Sequence, residues 1–368
     1  MKKINIAMAG GTHVFPIESL IEHVYKNPLY SQKTRKMVRF KRKSLEKEVF
    51  LSLKKRHPVI FQNIISGKYR RETWFSSRLK NLDLFKFIFI IQSIFYIIKH
   101  RIDVVFCKYV ALPVVIAAKL LRKRILVHES DVHSLVNKIA SKYADKIFTF
   151  DVLPRSTTIG QILSDDIVTN QSIKNLPVEK LQQERELTIY EKLFYTDPSK
   201  THLLVMSQGS KRLYQNILNS IKENQLIYKN YEIYLILKEN QIKGDFDSFR
   251  NIHVFDFLTQ KEMLLLKYCD ISLTRAGTTS LAEQKLYNLK IIMVPIPRTH
   301  DQYDNAKFYV DKYKDILLDS KDDRYQDQML EIFDKYKNFK KEEPKKDIIS
   351  EVSIAKDKII QSMLNIDI

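Results

Sequence analysis

The sequence predicts an α/β protein made of two doubly wound, parallel-sheet units in series. Short apolar runs that stop at turn residues alternate with segments of helical spacing, the pattern of strand–helix–strand units feeding a parallel sheet. That pattern runs to about residue 150 and begins again near His202. A chain of 368 residues also exceeds what one ordinary hydrophobic core serves, so two domains are expected.

Lys3–Ala9 is a short apolar run halted by Gly10-Gly11, which reads as a buried first strand. Thr12-His13-Val14-Phe15-Pro16 leads into a helix with Ile17, Leu20, Ile21 and Val24 on one face. Asp103–Cys107, Arg124–His128 and Lys146–Phe150 supply further strands, separated by helices over Pro113–Leu121 and Ser134–Tyr143. The second unit repeats the pattern: strand His202–Ser207, turn Gln208-Gly209-Ser210, helix Arg212–Lys222, then strands at Tyr231–Leu237, His253–Phe255, Ile271–Thr274 and Ile291–Pro295. Domains are expected at 1–165 and 166–345, with the join near Leu163–Asn175. After the charged break Lys340–Lys346, Val352, Ala355, Ile359 and Met363 share one face of a last helix over Ser350–Leu364, and the segment 346–368 is expected to pack back on the first domain. In open sheets ligands bind beyond the carboxyl ends of the strands. Gly10–His13, Tyr109, His128–Asp131, Gln208–Ser210 and Arg275–Thr279 fall at such ends and are expected to face a cleft between the domains.

The formal charge of +19 points to an anionic partner, whether nucleic acid, anionic lipid or phosphorylated substrate. Between Ser31 and Lys80 sixteen Lys and Arg stand against three Glu, so most of the excess is local. This block lacks a recognition helix or an RNP-like aromatic pattern, which argues against specific nucleic-acid binding. The apolar run Leu84–Ile98, broken by Lys86 and Gln92, is shorter than the roughly 20 residues of a membrane span. It reads either as a buried helix or as a membrane-contact surface, and the basic block before it would attract anionic headgroups. Cys107 and Cys269 have no partner at metal spacing and read as buried free thiols. The first ten residues start a strand rather than a secretory signal.

The most informative stretch is Thr274-Arg-Ala-Gly-Thr-Thr-Ser-Leu-Ala-Glu283, followed by Pro295-Ile-Pro-Arg-Thr-His-Asp-Gln-Tyr-Asp-Asn305. Small residues at a helix start let backbone N–H groups approach a phosphate, and the helix dipole favours its charge. Glu283, inside that helix, can accept hydrogen bonds from ribose hydroxyls. The combination suggests a nucleotide-diphosphate site.

With these residues placed, the chain resembles the MurG family, transferases that add N-acetylglucosamine to lipid I in peptidoglycan synthesis. Five segments carry the resemblance in order: Gly10-Gly-Thr-His-Val-Phe-Pro16; His128-Glu-Ser-Asp131 with Asn137-Lys138; Ser207-Gln-Gly-Ser210; Arg275-Ala-Gly-Thr-Thr-Ser-Leu-Ala-Glu283; and Asp301-Gln-Tyr-Asp-Asn305. Three departures accompany them. Two glycines that the family carries between Thr12 and His13 are absent. Its second glycine-rich loop has become Lys108-Tyr-Val-Ala-Leu-Pro113, and Lys174 stands where the family has a phosphate-binding Arg. Lysine keeps the charge and loses the bidentate fork.

The resemblance implies a GT-B fold and an inverting transfer that uses neither cofactor nor bound metal. It places UDP-N-acetylglucosamine on the C-terminal domain and a lipid-linked pyrophosphate acceptor on the N-terminal one, at the cytoplasmic face of the membrane. His13 is the first choice of general base, since imidazole titrates near neutrality; its alternative is to orient the loop. Glu129 and Asp131 are alternative bases or structural hydrogen-bonders. Thr12, Tyr109 and Asn137 are placed with the acceptor. On the donor side stand Lys174, Ser207, Gln208, Gly277 and Thr278 for phosphate or uridine, and Glu283 for ribose. Gln302 and Asn305 are sugar-hydroxyl ligands or helix caps, and Arg275 is a phosphate contact or a structural salt bridge. The departures on the acceptor side leave open another polyprenol-linked or glycolipid acceptor, or a non-catalytic scaffold.

Overall fold

A computed structural model describes residues 3–10, 14–42, 55–64, 84–108, 112–129, 142–149, 157–158, 199–206, 211–236, 249–255, 265–297, 300–343 and 348–366. Contacts divide the chain into one unit of Met1–Ser164 with Ile349–Ile368 and a second of Asp165–Ile348.

The first unit contains strands β1 (Ile4–Gly10), β2 (Thr34–Arg42), β3 (Val59–Ile64), β4 (Val104–Lys108), β5 (Arg124–Glu129), β6 (Lys146–Thr149) and β7 (Thr157–Thr158). They form one sheet in the order β3-β2-β1-β4-β5-β6-β7 with every pairing parallel. Helices α1 (Val14–Lys26), α2 (Leu84–Lys99) and α3 (Leu112–Leu120) cover it, with the last helix of the chain, Ile348–Leu364. Alternate residues of each strand feed opposite faces. Ile6, Met8, Met37, Val104, Phe106 and Leu126 pack with Ile17, Leu20, Ile21 and Val24 of α1 and with Ala355, Ile359, Ile360 and Met363 of the last helix. Ala7, Ala9, Val38, Phe40, Val105, Ile125 and Val127 pack instead with Ile97 of α2 and Val114, Val115, Ala117 and Ala118 of α3. With both faces covered, β1 is apolar at nearly every position.

Polar contacts lock the last helix to α1. One oxygen of Asp357 accepts from both His23 Nε2 and the Tyr30 hydroxyl, each at 2.8 Å, and Gln361 donates to the Tyr30 oxygen. Burial together with the Asp357 contact pushes Tyr30 up to about 12.

The second unit repeats the plan with β8 (Thr201–Met206), β9 (Tyr231–Ile236), β10 (Ile252–Phe255), β11 (Ile271–Thr274), β12 (Lys290–Met293) and β13 (Ile316–Leu317), in the order β10-β9-β8-β11-β12-β13 and again all parallel. Counted within each unit, the second sheet follows the 3-2-1-4-5-6 order of doubly wound dinucleotide-binding folds, and the first follows it with a seventh strand added at the edge. Its helices include α4 (Lys211–Glu223), α5 (Thr278–Leu286), α6 (His300–Tyr313) and α7 (Tyr325–Tyr336), the final helix of the chain being α8. Leu203, Val205, Ile233, Leu235, Ile271 and Leu273 form the core under Leu213, Ile217 and Ile221 of α4 and Met329 and Phe333 of α7.

One difference from the sequence reading concerns the basic block. β2 and β3 lie within residues 31–80, where the sequence reading places no strand. In Thr34–Arg42 the cations are interspersed with Met37, Val38 and Phe40, all buried. Arg39 is buried too, its Nη1 donating to the carbonyls of Met8 at 3.4 Å and Phe40 at 2.6 Å. Arg56 forks onto two buried carboxylates of α1, Glu18 at 2.8 Å and Glu22. Both cysteines are buried and free, and burial pushes the Cys107 thiol up to about 12.

Ile359 of α8 is fully buried among residues of β1 and α1. Ile359→Ala should therefore destabilise the protein by about 2–5 kcal/mol, the usual cost of such a cavity, as read by denaturant unfolding.

Candidate functional site

Three connections of the second unit come together at the carboxyl edge of its sheet. After β11 the chain runs through Arg275, Ala276 and Gly277 into α5; after β12 it runs through Val294–Ile296 towards α6; and after β13 it reaches Asp319. Side chains tie these segments to one another. Arg275 Nη1 donates to the carbonyls of Val294 at 2.8 Å and Pro295 at 3.3 Å. Gln302 accepts from the Ile296 N–H at 2.8 Å, and Asn305 donates to the Ala276 carbonyl at 3.1 Å. Tyr303 donates to Asp319 at 2.7 Å; burial, reinforced by that carboxylate, pushes its phenol up to about 12. Burial lowers the Arg275 pKa against the influence of Tyr325, Tyr214 and Tyr303. The motif Gln302-Tyr-Asp-Asn305 thus holds the turn before α5 in place.

Gly277 caps α5 with an ordinary φ of −83° and no side-chain cap bond. Its N–H bonds to the Arg275 carbonyl at 2.9 Å, and its carbonyl accepts the first helical bond, from the Leu281 N–H at 3.0 Å. The N–H groups of the first turn have no intrahelical acceptor, which is general at helix starts. A Cβ placed on Gly277 would meet nothing within 4 Å. Open space therefore lies against the positive end of the helix.

Two buried contacts fix the rotation of α5. Gln284, fully buried, accepts from the Ser272 hydroxyl of β11 and donates to Ser280 at 2.8 Å. Lys285 reaches Asp315 at 2.7 Å and the Leu289 carbonyl at 2.8 Å. Burial lowers the Lys285 pKa and raises that of Asp315, each against the attraction of the other. With Gln284 turned to the sheet, Glu283 sits about 100° around the helix and is half-buried.

The other expected site residues are placed less fully. Glu129 ends β5 and Thr278 begins α5. His13, Asp131, Thr12, Tyr109, Asn137, Lys174, Ser207 and Gln208 lie outside the described residues. The strands they follow end at Gly10, Lys108, Glu129 and Met206. The sequence reading misses Gln284, Lys285, Asp315, Tyr303 and Asp319, whose partners are distant in sequence and leave no spacing signal.

Comparison with known proteins covers both units. The model of the glycosyltransferase family 28 N-terminal domain matches residues 6–149, and that of the family's C-terminal domain matches residues 203–359. The chain is 29% identical over 267 residues to the UDP-N-acetylglucosamine–N-acetylmuramyl-(pentapeptide) pyrophosphoryl-undecaprenol N-acetylglucosamine transferase of Streptococcus mutans, covering 69% of this chain and 68% of that one. A protein of the same name from Streptococcus pneumoniae is 27% identical over 281 residues, 72% of this chain and 75% of that one. Among solved structures, Acinetobacter baumannii MurG superposes with a TM-score of 0.62 at 16% identity, over 99% of both chains. A kitacinnamycin glycosyltransferase gives 0.61 at 11% identity, over 99% of this chain and 100% of that one. At these identities the likeness establishes the fold, the two-sheet GT-B arrangement.

The Lys285–Asp315 pair supports the helix that carries Glu283. Asp315→Ala leaves a buried ammonium without its carboxylate and should cost about 3–5 kcal/mol in unfolding free energy, while the double apolar variant Lys285→Met/Asp315→Leu recovers much of it.

Proposed function

The chain belongs to glycosyltransferase family 28, and from that membership we propose that it transfers N-acetylglucosamine from UDP-N-acetylglucosamine to lipid I, giving lipid II of peptidoglycan. The observation that carries this reading is the match of both family halves, in order, to a chain whose relatives bear that activity in their names.

The reaction requires that an acceptor hydroxyl lose its proton as its oxygen attacks the anomeric carbon, and that the departing UDP oxygen be stabilised. We assign the donor to the second unit. The diphosphate lies in the open space beside Gly277, where the first-turn N–H groups of α5 and the positive helix end meet its charge, with Lys174 as a further cation. Glu283 takes the ribose hydroxyls, Ser207 and Gln208 contact phosphate or uridine, and Thr278 adds a hydroxyl at the helix start. Gln302 and Asn305 each spend one amide atom on holding a loop, which leaves the other for the sugar. Arg275 acts by holding the β12 connection. On the first unit, His13 takes the acceptor proton, Glu129 and Asp131 orient it or share the task, and Thr12, Tyr109 and Asn137 bind the lipid-linked pyrophosphate.

We place the enzyme at the cytoplasmic face of the membrane as a peripheral protein that meets an anionic surface. No helix among the described residues is long and apolar enough to cross a bilayer. One face of α2 nevertheless presents Ile88, Ile91, Phe95 and Ile98, 44 to 59% exposed and spaced three, four and three apart, while Ser93 and Ile97 opposite are fully buried. A helix lying along an interface has this division.

Two measurements test the reaction. Wild type should transfer radiolabelled N-acetylglucosamine from UDP to a short-chain lipid I analogue, and His13→Ala should lose most of that activity while still binding UDP. Absence of transfer by wild type that still binds UDP-N-acetylglucosamine would reassign the acceptor. Gly277→Ala separates fold from function. Its backbone angle admits alanine and a Cβ meets nothing there, so the variant should fold, at a cost of about 1 kcal/mol or less because alanine is a poorer N-cap than glycine, while UDP affinity measured by calorimetry falls. Unchanged affinity would remove the diphosphate from this position.

A further inference from the structure

Helix α5 meets its sheet through little apolar surface. Among its described side chains the buried ones are Leu281 and Gln284, so one of the two is an amide. The Ser272 hydroxyl donates to the amide oxygen, and the amide nitrogen donates to Ser280 at 2.8 Å. Ser272 is itself fully buried in the interior of the sheet, paired with Leu204 of β8 on one side and Ile291 of β12 on the other, both fully buried. An amide taken into such surroundings carries a desolvation cost that its hydrogen bonds offset. A leucine in its place would fill the space without that demand. The polar pair is therefore not something the core requires.

What the pair supplies is direction. An apolar side chain packs almost equally well through small rotations of a helix, whereas a hydrogen bond weakens steeply once its angle is lost. Gln284 is held at both ends, by a strand of the sheet and by Ser280, one turn earlier in the same helix. Lys285 also anchors α5, through Asp315, but its flexible four-carbon stem follows a small turn of the helix. The finer setting falls to Gln284. Glu283 is the residue before it, half-buried and about 100° around the helix. At the side-chain rim, about 5–6 Å from the axis, a turn of about 20° moves a carboxylate by about 2 Å. Misplacement by about 1 Å already costs heavily where a bound group must be held in one geometry.

Resting on the assignment of Glu283 to the ribose, we propose that Gln284 is a positioning residue for the donor: its bond to Ser272 sets the rotation of α5 at which the Glu283 carboxylate reaches the ribose hydroxyls of a nucleoside diphosphate. Gln284 is fully buried and itself touches no substrate. Two properties of the motif then separate. The N–H groups at the helix start point along the axis, so they meet the diphosphate whatever the fine rotation. Recognition of ribose as against deoxyribose depends on a side chain at the helix rim, and so on the amide. Loss of the tie should spare the phosphate contribution and erase the sugar preference.

The test is calorimetric titration of the full chain with UDP and with 2′-deoxy-UDP, beside thermal unfolding. Wild type should prefer UDP by about 10- to 100-fold, the worth of one hydrogen bond to a charged group, and Glu283→Ala should bring the two ligands level. Ser272→Ala/Gln284→Leu removes both polar partners together, so its unfolding midpoint should match or exceed that of wild type. Its preference should nevertheless fall close to that of Glu283→Ala, with binding of 2′-deoxy-UDP unchanged. Should the double variant unfold, Ser272→Ala alone gives the same comparison, since it removes only the sheet-side hydroxyl. A folded variant that keeps the wild-type preference shows that Gln284 does not position Glu283, although the ribose assignment stands. Equal loss of affinity for both ligands also overturns the positioning role, because the helix start rather than Glu283 then depends on the amide. Wild type that binds UDP and 2′-deoxy-UDP alike, with Glu283→Ala no different, removes Glu283 from the ribose and the role of Gln284 with it.

Discussion

Because every pairing in the two sheets is parallel, no connection can be a simple hairpin, and each must carry the chain back along the sheet. Helices are therefore needed on both faces, and the strands must be apolar on both sides. The first strand of each unit, β1 and β8, lies inside its sheet, with crossovers leaving to left and right. At that switch the outgoing connections diverge and leave a crevice, always at the carboxyl edge. The position of the proposed chemistry is thus a consequence of strand direction.

A crevice alone does not hold a diphosphate in one place, and in the second unit polar side chains supply the rigidity. Arg275, Gln302 and Asn305 bond main-chain groups of neighbouring connections, while Gln284 and Lys285 fix how α5 is turned. Such ties are worth little each when exposed and more when buried, because a buried partner left alone keeps its full desolvation cost. The motif residues therefore serve two ends. They fix the geometry of the helix start, and with their remaining donors and acceptors they stay available to the sugar.

Much of this was legible in the sequence because buried parallel strands and amphipathic helices leave distinct periods. Ile4–Gly10, Ile271–Thr274 and Ile348–Leu364 are read to within a residue or two. β2 was not, because five cations in nine residues mask its three buried apolar side chains, Met37, Val38 and Phe40. β7 and β13, two residues each, carry too little pattern to see. In α2 the sequence shows a run apolar all round, and packing alone decides that Ile97 is inside and Phe95 outside. At the donor edge the motif residues were legible and the ties between them were not, since a contact such as Lys285 to Asp315 spans thirty residues.

Helix ends show how far the backbone alone decides the residue. At Gly277 the angle is ordinary and a side chain would strike nothing, so glycine is not forced there, and its local merit is that it caps a helix start better than alanine does. What its missing side chain provides is access to the N–H groups of a helix start. At Arg101 and Arg122 the backbone takes the form that glycine favours, and the chain carries arginine. Here the backbone holds a side chain at a conformational cost that glycine would not carry. A fold selected for stability alone would favour glycine at Arg101 and Arg122. At the start of α5 the proposed diphosphate adds a reason of its own, because any side chain there would stand beside the first-turn N–H groups that meet its charge.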